Sequence, residues 1–299
     1  MVSTVNIDDI SATPVAECTA AQVADALTRS FKGYVMPVSV SAQGYERRFR
    51  PENLDPFASL VYLREARPVA VLLVARRGWT SRIAAMAVAP EVRGRGVGRE
   101  IMERAIQEAL SRGDHSVLLE VIEHNTPAVN LYKGLGFRPL RRLVGYHRGP
   151  DGAAPGNADT LSELDPLDLA RVSAREGEGG LPWMLAAETL SATVSPARAY
   201  HLDHHAYALI WDPGAEVLTL SALVVPRIDR RKGWGTRLMQ ALNSAFSDRR
   251  WTIPAIVPEG LAPEFFTRCG WERQETSQWE MVLDLSSGER ARSDGGTNG

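Results

Sequence analysis

The sequence predicts an α/β chain, of the α+β kind, in which one mixed strand-and-helix unit occurs twice. Three observations predict this. The pattern R-x-x-G-x-G occurs at residues 93–98 and again at 230–235, each time between a strand-like run and a helical run. Gly136-Phe137 and Gly270-Trp271 form a second repeated pair. The two loops lie 137 positions apart and the two aromatic positions 134 apart, which marks an internal duplication. Between the copies, residues 149–158 (GPDGAAPGNA) hold almost no bulky apolar side chain and read as a linker.

In chain order, residues 5–10 read as a short first strand. Residues 19–31 read as a helix, with Val23, Ala24, Leu27 and Phe31 on one side and Gly33 past its end. Residues 34–40 read as a loop held by Pro37, and 41–50 as a second short helix. Residues 58–64 and 69–76 form a hairpin pattern, and 83–88 the strand that feeds the glycine loop. The helix at 99–112 buries Ile101, Met102, Ala105, Ile106, Ala109 and Leu110, with Glu100–Arg104 and Glu108–Arg112 as i,i+4 pairs on its wet face. Residues 116–122 are the next strand. Thr126 as N-cap and Pro127 as first helical residue start a short helix to about Lys133. In the second half, 166–176 and 182–192 read as helices, 206–211 and 217–225 as a hairpin, and 236–246 as the helix after the repeated loop. Residues 286–299 are polar and read as disordered.

Composition bounds the function. The 299 residues suit two domains, and 44% hydrophobic with 23% charged residues is ordinary for a soluble protein. A net charge of −2 argues against nucleic-acid binding driven by overall charge. Cys18 and Cys269 alone cannot make a disulfide framework, which favours a reducing, cytoplasmic setting. The first ten residues lack an apolar core and so read as no signal peptide, and the longest apolar run, 69–75, is too short to span a bilayer.

The turn Arg93-Gly94-Arg95-Gly96-Val97-Gly98-Arg99 points to a phosphate or pyrophosphate. A glycine-rich turn before a helix aims backbone N–H groups and the positive dipole end at one point, and the arginines add charge. It is not a Walker loop, because no Gly-Lys-Ser/Thr follows, and Gly94, Gly96 and Gly98 have the wrong third spacing for a dinucleotide fingerprint. A ligand-free Arg/Gly turn is the competing reading.

A second stretch decides between them. Arg93, Gly96 and Gly98, followed by Asn125, Ala128, Leu131, Tyr132, Gly136 and Phe137, resemble the two motifs of the GCN5-related N-acetyltransferases, Q/R-x-x-G-x-G/A and N-x-x-A-x-x-L-Y-x-x-x-G-F. The resemblance covers residues 1–148 well. It implies two tandem domains, 1–148 and 159–285, each a mixed, mostly antiparallel twisted sheet flanked by helices. It implies acetyl-CoA as co-substrate with no metal, and a small-molecule or peptide amine as acceptor. No nucleic-acid or membrane partner is expected, and the chain is expected as a monomer built like a dimer, or as a homodimer.

The resemblance also implies roles. Tyr132 would protonate the departing thiolate, and a backbone N–H of Met86 or Val88 would hold the acetyl carbonyl. Asn125 would bond the backbone or the pantetheine arm. CoA would contact Met86, Val88, Arg93 to Arg99, Asn125, Ala128 and Tyr132. The strand 83–88 has no glutamate, so Glu120 is the candidate base, in a Leu119-Glu120-Val121 stretch similar to that of ribosomal-protein alanine acetyltransferases. Its other reading is a strand carboxylate bonded to backbone or to a buried arginine. Glu123 and His124 read as a solvated strand end.

The second copy departs where chemistry is at stake. Phe266 stands at the tyrosine position and cannot donate a proton, and no Asn-x-x-Ala precedes it. This half reads as catalytically silent. That separates the chain from the mycothiol synthases, tandem relatives whose active half is the second. His201, His204 and His205 lack further close ligands, and adjacent histidines on a strand face opposite ways, so they read as polar surface or cleft lining. Three functions remain: a small-amine acetyltransferase, a protein N-terminal acetyltransferase, and a non-catalytic acyl-CoA sensor or scaffold.

Overall fold

A computed structural model describes residues 9–35, 38–150 and 161–286. Of the expected strand at 5–10 only residues 9 and 10 are described, and neither is in a strand; most of the linker and nearly all of the tail lie outside the described residues. The chain forms two compact units: residues 1–140 with 280–299, and residues 141–279. No helix of the described residues is long and apolar enough to cross a membrane.

In the first unit, β1 (Ser11–Pro14), β2 (Leu60–Arg64), β3 (Arg67–Arg77), β4 (Thr80–Val88) and β5 (Ser116–Ile122) lie side by side in that order, followed by residues 280–284. β1 to β4 pair antiparallel, and β4 pairs parallel to β5. Helix α1 (Ala20–Ser30) begins in a capping box between Thr19 and Gln22. With α2 (Ala42–Phe49), it packs Val23, Ala24, Leu27, Tyr45 and Phe49 against Val61, Val71, Leu73 and Ala87. Helix α3 (Val97–Ser111) and the short α4 (Thr126–Gly134) complete the unit. Asn125, one residue earlier than expected, caps α4 by accepting the Ala128 N–H at 3.4 Å.

The second unit opens with β6 (Arg138–Arg148), whose residues from 141 onward belong to it. It adds β7 (Ser162–Leu164), α5 (Pro166–Glu176), α6 (Ala187–Ser191), β8 (Arg198–Leu202), β9 (Ala206–Ile210), β10 (Val217–Val224), α7 (Trp234–Ala245), β11 (Arg250–Pro258), α8 (Pro263–Arg268) and the part of β12 (Glu272–Asp284) up to residue 279. The division into compact units falls after residue 140. β6 pairs antiparallel with β11, from Trp251↔Arg148 to Pro258↔Leu143, and its Val144 and Tyr146 join the core of this unit. The expected helix at 182–192 is shorter, because Trp183–Leu185 forms a 3-10 turn and only Ala187–Ser191 is α-helical. His204 and His205 are not on a strand. They sit in the β8–β9 turn, with Asp203 and His204 at φ of 49° and 57°.

Both units open at the same point. β4 pairs with β5 only from Thr80↔Ser116 to Ile83↔Leu119. There β4 carries a bulge, with Leu73↔Ala85 followed by Val74↔Ile83, so Ala84 is the extra residue. In the second unit β10 pairs with β11 as far as Thr219↔Thr252, and its bulge leaves out Ser221, 137 positions after Ala84. Past each bulge the parallel strands part, and the edge of β4 or β10 is left facing a wedge.

Candidate active site

The wedge of the first unit is built from backbone before any side chain enters. The Ala89 N–H donates to Val69 on β3 at 2.8 Å. Strand alternation then turns the N–H of Val88 and of Met86 the other way, toward the side β5 has left. These are the two donors singled out from sequence. Beyond them the chain makes a 3-10 turn, Pro90–Val92, and enters the glycine loop.

Gly96 sits at φ +85° as the N-cap of α3, a conformation that strains residues with a Cβ, and a Cβ there would meet nothing within 4 Å. A bulky anion can therefore approach the backbone at Gly96, so the turn fits a pyrophosphate. The Arg99 N–H is not available to it, since it bonds Gly96 O at 3.0 Å inside the first turn. Gly98 is packed, with Val88, Leu131 and Met86 side chains 3.6–3.8 Å from where its Cβ would stand.

The arginines differ in what they do. Arg93, an exposed residue, is folded back onto backbone: its Nε donates to Val88 O at 2.7 Å and its Nη2 to the Ser30 and Lys32 carbonyls at 3.1 and 2.6 Å. It ties the end of α1 to the end of β4. Arg230 repeats the clasp in the second unit, with Nε on Val225 O at 3.0 Å and Nη2 on Glu176 O at 3.0 Å. The first arginine of the motif thus holds the loop in shape in both copies. Arg99 pairs with Glu103 on the helix surface at 3.5 Å.

Tyr132 is buried on α4, with its ring 5.9 Å from Phe137. Burial pushes its phenol well above the usual range, and the neighbouring Tyr34 phenol adds to this. Burial raises the Tyr34 phenol as well, and the Asn125 side chain works against that rise. Tyr34, a residue not foreseen from sequence, therefore stands in the surroundings of both Tyr132 and the cap of α4.

Glu120 is the first β5 residue beyond the paired stretch, at the apex of the wedge. Both its oxygens accept from Arg82 Nε, at 3.0 and 2.8 Å, and Arg82 Nη2 stands 2.7 Å from Oε2. The same guanidinium gives its Nη1 to Glu52 at 2.5 Å. Arg82 and Glu52 are 6% and 2% exposed, so this is a buried cluster of two acids and one base. Burial pushes the Glu52 carboxyl up, against the pull of Arg82 and Arg48. Burial also works against the Arg82 charge, but Glu120 and Glu52 together hold its proton more tightly than usual. Sequence reasoning missed Glu52 and Arg82. The available signal was an arginine inside an apolar strand run, which must find an acid when buried.

The second unit has the loop without these groups. Gly233 caps α7 at φ +87°, but Phe265 lies 3.1 Å from where a Gly235 Cβ would stand. Trp234 is stacked on His205 with ring centroids 4.2 Å apart, and the Arg237 guanidinium lies 4.2 Å from the same ring. His205 also contacts buried Asp229 at 2.9 Å. Phe266 stacks on Tyr146 at 4.4 Å.

The model of the acetyltransferase (GNAT) family matches residues 22–137, from within α1 to just past α4. The match covers 116 of the 299 residues, all of them in the first unit. Among curated proteins, the chain is 34% identical over 98 residues to the N-terminal acetyltransferase B complex catalytic subunit naa20 of Schizosaccharomyces pombe, covering 33% of this chain and 54% of that protein. It is 39% identical over 72 residues to the thialysine N-epsilon-acetyltransferase of Sus scrofa, covering 23% and 42%. The chain thus spans about half the length of the curated relatives it matches. Among solved structures, a tandem GNAT protein from the clavulanic acid biosynthesis pathway aligns over 92% of this chain and 98% of its own, with a TM-score of 0.64 at 17% identity. That likeness is one of fold and extends over both halves.

Proposed function

We propose that the first unit transfers an acetyl group from acetyl-CoA to a primary amine of a small molecule or peptide, by direct attack in a ternary complex. The observation that carries this is the wedge that opens past Ile83↔Leu119, with Glu120 as the next β5 residue and the open glycine turn after β4, inside the stretch the family model matches. The loop N–H groups and the dipole of α3 hold the pyrophosphate. The N–H of Met86 or Val88 donates to the acetyl carbonyl as its oxygen gains charge. Glu120 takes the proton the amine loses, directly or through one water, as the amine nitrogen bonds the carbonyl carbon. Tyr132 gives its proton to the sulfur as the carbon–sulfur bond breaks. Its raised phenol suits a donor that stays protonated until a thiolate forms.

A second reading, acetylation of protein N-termini, is favoured by Leu119-Glu120-Val121 and by the likeness to naa20. A non-catalytic acyl-CoA sensor is the third. Thiol release measured across a panel of small amines and peptide N-termini separates them. Tyr132→Phe should lower kcat at least tenfold and leave the CoA Kd within about twofold, because a hydroxyl used only as thiolate forms stabilises the transition state alone. No thiol release with any acceptor would favour the sensor. A weaker CoA Kd with unchanged kcat would make Tyr132 a packing residue.

A further inference from the structure

We propose that Glu52 is a positioning residue for Glu120: it offsets the charge of Arg82 from behind, so that Glu120 stays basic enough to accept the amine proton. This rests on the reading of Glu120 as the base. A carboxylate gripped through both oxygens by a guanidinium 2.7–3.0 Å away is stabilised in its charged form, which makes it a poor base. One acid would satisfy one arginine. Here a second acid, brought in by the 3-10 turn Arg50–Glu52 after α2, holds the third arm of the same guanidinium. Two acids on one buried guanidinium cost desolvation, which makes a weak case for stability.

The fold itself does not require the cluster. The second unit keeps the wedge, the bulge and the parallel register. That register puts Thr219 where Arg82 stands, and Pro254 where Glu120 stands. The unit that lacks the tyrosine therefore lacks the base and its arginine as well, although its sheet opens in the same way. The cluster goes with the chemistry and not with the architecture.

The charged groups around Glu120 come from each neighbouring element. Arg82 lies on β4, and Glu52 and Arg48 come from α2 and the turn after it. Glu280, 1% exposed, lies on the segment of this unit next to β5. The experiment removes one of these charges in the full chain. The Glu120 carboxyl is titrated by NMR with carbon-13-labelled glutamate, assigned by loss of its signal in Glu120→Gln. In Glu52→Gln its midpoint should fall by about one pH unit or more, a tenfold loss of proton affinity. The acid limb of kcat/KM should move down with it while the plateau rate drops. Glu52→Asp, which keeps the charge, should restore most of both and serves if Glu52→Gln does not fold by circular dichroism. In Arg82→Gln the midpoint should rise.

A Glu120 midpoint that stays at the wild-type value in Glu52→Gln, with only the melting temperature changed, would overturn the proposal. So would a midpoint unmoved between wild type, Glu52→Asp and Arg82→Gln. The NMR arm needs no acceptor, so a wild-type protein that releases no thiol would count against the acetylation reading while leaving the coupling of Glu52 to Glu120 decided on its own.

Discussion

Arg93 has a use in the fold that its motif does not announce. From sequence it is a fixed positive charge for a phosphate. In the folded chain its fork closes on three backbone carbonyls, Val88, Ser30 and Lys32. A lysine carries the charge but not the planar fork, so Arg93→Lys and Arg93→Met should both destabilise the first unit, by about 1–3 kcal/mol in urea titrations, since hydrogen bonds from charged donors contribute on that scale. If the residue acted through charge alone, Arg93→Lys would match wild type in stability. Glu120 is the opposite case. Sequence left it divided between a base and the partner of a buried arginine, and the structure gives it that partner in Arg82. The guanidinium's second acid was not legible, because Glu52 and Glu120 are 68 positions apart and no local period connects them.

At the scale of elements, strands and helices with a clear period were legible and irregularities were not. β5 and α5 fall where expected, at Ser116–Ile122 and Pro166–Glu176. The bulge at Ala84 was not legible, because Ile83 to Val88 is a continuous apolar run with no glycine or proline to mark it. Yet that bulge opens the wedge. What anchors the closed end of the wedge is a second polar group, Asp114, just past α3. It accepts Ser81 Oγ at 2.5 Å and the Arg112 and Arg76 guanidinium groups at 3.1 Å each, so it joins β3, β4 and the end of α3. Burial alone would raise the Asp114 carboxyl, but the bonds from Ser81, Arg112 and Arg76 hold it below the usual range. A carboxyl depressed by folding stabilises the protein above its unfolded pKa, near pH 4, and that contribution disappears as pH falls through the lower folded value. Asp114→Asn should therefore be about 2–3 kcal/mol less stable than wild type at pH 7, from loss of a buried ion network. The gap should narrow as pH falls below about 4, and urea titrations at neutral and acid pH measure both. A gap independent of pH would mean that shape, and not charge, is what Asp114 supplies.

At the scale of the molecule, the duplication was legible from two loops and an aromatic pair, while the placement of the last strands was not. β6 follows the first copy in sequence but pairs within the second unit, and residues 280–284 end the second copy but belong to the first. Pairing partners so far apart leave no trace in a single sequence. The working half can be tested by disabling one copy at a time. The second copy has Phe266 for the tyrosine, Pro254 for the glutamate, Thr219 for the arginine, and Phe265 packed on Gly235. The first-copy change Gly96→Asp would put a carboxylate where phosphate should sit, at a φ of +85° that a side chain tolerates poorly, so it should weaken CoA binding sharply by calorimetry. Combined with Tyr132→Phe it should abolish acetylation, with circular dichroism confirming the fold. The matching change Gly233→Asp meets the same backbone strain, at φ +87°, and so provides the control for folding. It should leave kcat within about threefold of wild type, because no reacting atom would sit beside Phe266 and a threefold change is under 1 kcal/mol in barrier. The opposite pattern, activity lost in Gly233→Asp and kept in the first-copy double variant, would move the chemistry to the second unit, where it would have to proceed with neither tyrosine nor glutamate at these positions.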